Sequence, residues 1–181
     1  YKFIFIFLFS SFKLFSSTII YTSSYIDVLS GKVINNSSIT IGDNKIISID
    51  KGYIKVSKND KLIDLRGLTV MPGLMDMHVH FGGEYQSKAE RPVKVERETE
   101  AILATAHAYT TLKAGFTTVR QVGDSGLVAI SLRDAIKNEY VIGPRIFTSG
   151  KSIATTGGHA DPTNGKAIDD YEYPVPEDGV I

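Results

Sequence analysis

Apolar and polar positions alternate in short bursts through the first third of the chain and then settle into longer periods. Between residues 18 and 65, runs rich in β-branched and aromatic residues at 18–22, 25–29, 38–41, 45–49, 53–56 and 61–65 are separated by clusters of Ser, Asn, Gly and Asp, the pattern of short strands joined by turns. Gly42-Asp43-Asn44 predicts a hairpin turn, because Gly and Asn tolerate positive φ. A small antiparallel sheet is expected here. Residues 70–81 read as a further strand with Leu74, Asp76, His78 and His80 on one side and Met75, Met77 and Val79 on the other, since successive side chains alternate faces. One face is apolar and the other ends in two imidazoles. Residues 96–114 carry acidic residues first, then Ile102, Ala106, Tyr109 and Leu112 at helical spacing, with Gly115 placed to stop a helix. A buried strand at 116–122, a helix from about 126 to 138 and a strand entered at 143–150 complete an α/β pattern.

Residues 1–17 hold a lysine, an unbroken apolar run from Phe3 to Phe9 and then small polar residues. The run is too short for a membrane span, which needs about 20 residues, and it fits the apolar core of a secretory signal peptide. A periplasmic or secreted protein is expected, or a cytoplasmic one if this stretch is not a true signal. The 181 residues carry 20 Lys+Arg and 20 Asp+Glu, so no basic footprint points to nucleic acid. With no cysteine, disulfides and thiolate metal sites are excluded. Any metal must be held by His, carboxylate or a modified lysine.

The chemistry concentrates at three places. In a strand, the His78-x-His80 spacing points both rings the same way with the backbone positions about 6–7 Å apart, so both can converge on one ion at about 2.0–2.1 Å. Gly157-Gly158-His159 sets an imidazole between small residues that leave it unshielded. Arg120 and Gln121 read as an interior polar pair, and Asp124 as the cap of the following helix or a residue facing the site, with the cap preferred. His107, inside the predicted helix, reads as a packed or partly exposed histidine and not as a ligand, and Asp161 before Pro162 as a turn former. The sequons at Asn35 and Asn36 carry little weight, because such triplets are common by chance.

The run Met71-Pro72-Gly73-Leu74-Met75-Asp76-Met77-His78-Val79-His80, preceded by residues 63–67, resembles the amidohydrolase superfamily, and within it the imidazolonepropionase-like and prolidase-like branch. The resemblance implies the N-terminal part of a (β/α)8 TIM-type barrel preceded by a small β-sandwich segment. The domains then read as a signal peptide at 1–17, a β-sandwich segment at 18–69 and the first three βα units of the barrel at 70–181. His78 and His80 match the family's paired ligands at the end of the first barrel strand. The Gly-Gly-His-Ala-Asp-Pro-Thr run is similar to the loop after strand three of prolidase-like members, which makes His159 a substrate-binding residue. Where members of the family very often have aspartate after the second strand's arginine, this chain has Gln121.

By the same resemblance, a strand-four lysine bearing a carboxylate group, two further histidines and a strand-eight aspartate complete a site for one or two divalent metals, most simply zinc. Such a site activates water against an amide carbonyl while the aspartate moves the proton to the leaving nitrogen. The expected substrate is a small amide, cyclic amide or dipeptide, and a homo-oligomer is left open. The remaining ligands are expected beyond Ile181, since a whole barrel takes about 250 residues, so the chain is expected to be a truncated and inactive piece of an enzyme. The alternative is a non-enzymatic secreted module that uses His78, His80 and His159 as a metal- or ligand-binding patch.

Overall fold

The computed structural model describes residues 16–82, 96–124, 126–155 and 158–160. The signal-peptide reading of residues 1–17 therefore falls almost wholly outside the described residues, as do Asp161 and the tail that follows it. The chain divides into two compact units between Pro72 and Gly73.

The first unit is one four-stranded sheet in the order β3-β2-β1-β4, built from β1 (Thr18–Asp27), β2 (Lys32–Gly42), β3 (Lys45–Lys51) and β4 (Lys61–Val70). It is mixed, not antiparallel as expected. β1 pairs antiparallel with β2 and parallel with β4, because residues 52–60 carry the chain from β3 at one edge to the other edge. The expected strand at 53–56 does not form. Both backbone groups of Ile54 are taken up by side chains: its N–H donates to Ser38 Oγ at 3.0 Å and its carbonyl accepts from Tyr21 Oη, while Ser38 Oγ donates to the preceding Gly52 O at 2.8 Å. Nor do 18–22 and 25–29 form separate strands. β1 runs through Ser23 and Ser24 past a register shift against β4, where Ser23 Oγ accepts from Gly67 N–H at 2.6 Å and Thr22 Oγ1 bonds Leu68 O at 3.0 Å. The chain instead turns at Asp27, whose carboxylate receives Leu29 N–H at 3.1 Å, a local turn typical of aspartate. The Gly42–Asn44 hairpin forms, with positive φ at Asp43 (49°) and Asn44 (59°), the two central residues of a type I′ turn. Within this unit the described residues form one sheet.

The second unit has a parallel sheet in the order β5-β6-β7, with β5 (Leu74–Val79), β6 (Phe116–Gln121) and β7 (Arg145–Thr148). Helix α1 (Arg97–Lys113) precedes β6 and helix α2 (Val128–Lys137) precedes β7. The termini of α1 match the expectation. Gly115, at φ +98°, follows its C-cap Ala114, a backbone conformation that costs a residue without Cβ nothing.

The buried face of α1 is not the one expected from its large apolar residues. Ile102 and Tyr109 are 69% and 48% exposed, whereas Glu100, Ala104, His107 and Ala108 are buried. Small residues let the helix lie close over the sheet, and the core gathers Ala104 and Ala108 with Phe81, Val119, Val128, Leu132 and Ile146. Val79 joins this core from β5, but Met75 and Met77 stay exposed. β5 is an edge of the described sheet, and its register against β6 shifts between Asp76 and Val79. No helix among the described residues is long and apolar enough to cross a membrane.

Candidate metal centre

Parallel β-strands present their reactive groups at their C-terminal ends, and β5 ends in the two histidines. His78 lies on the strand and His80 one residue past it. Their Nε2 atoms stand 3.2 Å apart, with the rings edge to face at 69°. The register shift between Asp76 and Val79 falls beside His78, and irregularities of this kind re-aim side chains at strand ends. Both rings are exposed. The carboxylate of Asp76 turns back along its own strand, where Oδ1 accepts from His78 N–H at 3.0 Å.

His80 Nδ1 lies 2.7 Å from the carbonyl oxygen of Gly123. A carbonyl only accepts, so this nitrogen carries the proton and Nε2 keeps its lone pair. That is the arrangement of a metal-ligating histidine, whose second nitrogen is usually tied to a carbonyl or carboxylate. Two nitrogens held at about 2.0–2.1 Å by one tetrahedral ion lie about 3.3–3.4 Å apart, close to the observed 3.2 Å. The donor pair fits a divalent metal in chemistry and spacing.

The residues after the pair are held as closely as the pair itself. Phe81 O faces His107 Nδ1 at 2.8 Å, and Gly82 N–H donates to Asp124 Oδ2 at 3.1 Å. The same Oδ2 accepts from Gln121 Nε2 at 2.9 Å. His107 is thus packed within α1, as expected, and also pins the end of β5. Asp124 does not cap α2: Leu127 occupies the N-cap without a side-chain cap bond, and the Asp124 carboxylate turns toward Gln121 and Gly82. Arg120 and Gln121 do not form an interior pair. Neighbours on a strand face opposite ways, so Arg120 is exposed while Gln121 is fully buried on the side of Val119. Sequence reasoning did not reach the Gly123 carbonyl, because a backbone acceptor leaves no signal in residue type.

His159 is exposed on a turn at residues 158–160, where Gly158 N–H donates to Thr155 O at 2.8 Å. Among the described residues, no three His, Asp or Glu side chains converge as a metal cluster, so His159 does not join His78 and His80 in one.

Residues 69–179 match the model of the amidohydrolase family. The chain belongs to that family. This amidohydrolase chain is 66% identical to a Xaa-Pro dipeptidase solved with methionine bound in its active site, at a TM-score of 0.84, with 92% of this chain and 41% of that one covered. A prolidase solved with N-methylphosphonate-L-proline is 29% identical at a TM-score of 0.75, over 90% of this chain and 38% of that one. The ochratoxinase of Aspergillus niger is 27% identical over 140 residues, which are 72% of this chain and 28% of that protein. The chain thus spans well under half the length of these relatives.

Proposed function

We propose that this chain supplies the first ligand pair of a metal-dependent hydrolase of carbon-nitrogen bonds, and that the substrates are dipeptides, foremost those with a C-terminal proline. The convergence of His78 and His80 at 3.2 Å carries the reading. Likeness to a Xaa-Pro dipeptidase over 92% of this chain supports the substrate class.

In this reading His78 Nε2 and His80 Nε2 hold the divalent metal, which we take to be zinc. When bound, such an ion polarises an amide carbonyl and makes water a nucleophile near neutral pH. The protein's own part is to hold the two imidazoles in fixed directions. The Gly123 carbonyl keeps the proton on His80 Nδ1 and so keeps the Nε2 lone pair turned outward. His159, exposed and flanked by glycine, is assigned to the substrate. The sequential parallel order β5-β6-β7 supports reading 70–181 as the first three βα units of a (β/α)8 barrel, and the segment 18–69 is assigned to a β-sandwich. We retain residues 1–17 as a cleaved leader and a periplasmic or secreted location, to be checked by sequencing the mature N-terminus.

The deciding assay follows hydrolysis of Xaa-Pro dipeptides, other dipeptides and cyclic amides by a zinc-loaded full-length enzyme that carries this chain's residues. His78→Ala and His80→Ala each lose more than the about 10- to 100-fold that an altered outer-shell partner costs. Zinc bound equally well by both variants would overturn the ligand assignment. Activity on cyclic amides alone would overturn the substrate class.

A further inference from the structure

Three consecutive residues at the end of β5 are held by three groups from elsewhere in the fold: the His80 ring by Gly123 O, Phe81 O by His107 and Gly82 N–H by Asp124. Two of these groups belong to one dipeptide. We propose that Asp124 is a positioning residue for His80, fixing the tautomer and direction of its imidazole through Gly123 on one side and Gly82 on the other.

The neighbouring geometry leaves this loop little freedom. Asp124 N–H donates to Gly150 O at 3.1 Å, beyond the end of β7. A Cβ on Gly123 would lie 2.6 Å from Ser152 Cα, and one on Gly82 would collide with the Asp124 carboxylate. Both glycines are the condition for the close approach. The carboxylate is set in turn by Gln121, whose side chain is fully buried. A carboxylate accepts only, so the Gln121 amide must present its nitrogen to Asp124; its Oε1 has no hydrogen-bond partner among the described residues. Asp124 Oδ2 therefore gathers two N–H donors, one from the end of β6 and one from just beyond β5. Removing it leaves both without that acceptor, and leaves the peptide group that carries the Gly123 carbonyl held by the Asp124 N–H bond to Gly150 O alone, free to tilt away from His80. The ring could then place its proton on either nitrogen, and only one choice leaves Nε2 able to bind a cation.

The proposal rests on the reading of His80 as a ligand, and its test separates the two. The full chain is labelled with ¹⁵N at histidine, the ring nitrogens are read by NMR without metal, and the chain is then titrated with Co²⁺, whose visible bands report its ligands. The wild type shows His80 as a single Nδ1–H tautomer. In Asp124→Ala the tautomers mix and Co²⁺ affinity falls about 10- to 100-fold, whereas Asp124→Asn, which keeps an acceptor oxygen, stays close to wild type. Should Asp124→Ala not fold, Asp124→Ser, whose hydroxyl is too short to reach Gly82, is read in the same way. An unchanged tautomer with unchanged Co²⁺ affinity overturns the proposal. If Co²⁺ binding ignores His78→Ala and His80→Ala, the ligand reading fails, and the metal-free tautomer comparison alone decides the role of Asp124.

Discussion

His107 is buried in α1 and holds the carbonyl of Phe81, the residue that follows His80. His107→Ala removes the donor and leaves that oxygen buried, a loss of about 1–3 kcal/mol readable by urea unfolding. Gly123→Ala drives a methyl group against the backbone of Ser152. It should cost about 1–3 kcal/mol, as overpacking does, and displace the carbonyl that orients His80. On the first unit, the Arg66 side chain bonds Asp64 and lies over the rings of Tyr21 and Tyr53. Its hydrogen bonds, side chain first and then backbone, lower the Asp64 pKa from 3.8 to about 2. A carboxyl with a folded pKa below its unfolded value adds stability above the unfolded pKa and loses it as pH falls through the folded one. The contribution therefore fades between pH 3.8 and about 2. In Arg66→Ala the Asp64 titration, followed by NMR, moves back toward 3.8. Both groups are exposed, so the effect on stability is small and screened by salt.

The elements were legible where the local signal had no competitor. Asp43 and Asn44 adopt the positive φ their turn requires, and Asn44→Ala should destabilise the sheet by more than about 0.4–1 kcal/mol, since Ala resists that conformation. Helix α1 began and ended where its acidic first turn and Gly115 set it, yet its inward face was misread. The large residues Ile102 and Tyr109 point outward because the close packing of α1 over β6 admits only small side chains such as Ala104 and Ala108. Thermal melts distinguish the two faces: Ile102→Ser stays within about 0.5 kcal/mol, whereas Ala104→Leu costs about 1–3 kcal/mol. The run at 53–56 failed as a strand for a related reason. Ser38 and Tyr21 supply hydrogen bonds that the sequence pattern assigns to a ladder.

At the scale of the whole molecule, the described residues leave much apolar surface in water. Met75 and Met77 on the edge strand β5 and Phe147 on the edge strand β7 are 58–68% exposed, and Ile46, Ile47 and Val33 of the first unit are about as open. Edges without a strand partner among the described residues, and apolar patches, drive self-association, and a formal net charge of zero at pH 7 offers no repulsion against it. Light scattering of the purified 181-residue chain should rise with concentration near pH 7 and fall as the pH moves away on either side. Monomeric, cooperatively unfolding material at pH 7 would contradict this.

By itself the sequence determined what depends on neighbours along the chain: the α/β order of the second unit, the ends of α1, the I′ hairpin and the His78-x-His80 spacing. Each follows from backbone periodicity or from a residue's own φ preference. Tertiary structure decided what depends on residues far apart. It made the first sheet mixed by carrying β4 across to pair with β1, and it chose the small-residue face of α1. It also brought the Gly123 carbonyl to His80 and turned Asp124 from a helix cap into the link between β5 and β6. Periodicity tells a side chain which way to face; what stands opposite is set by packing, and by backbone groups that every residue shares.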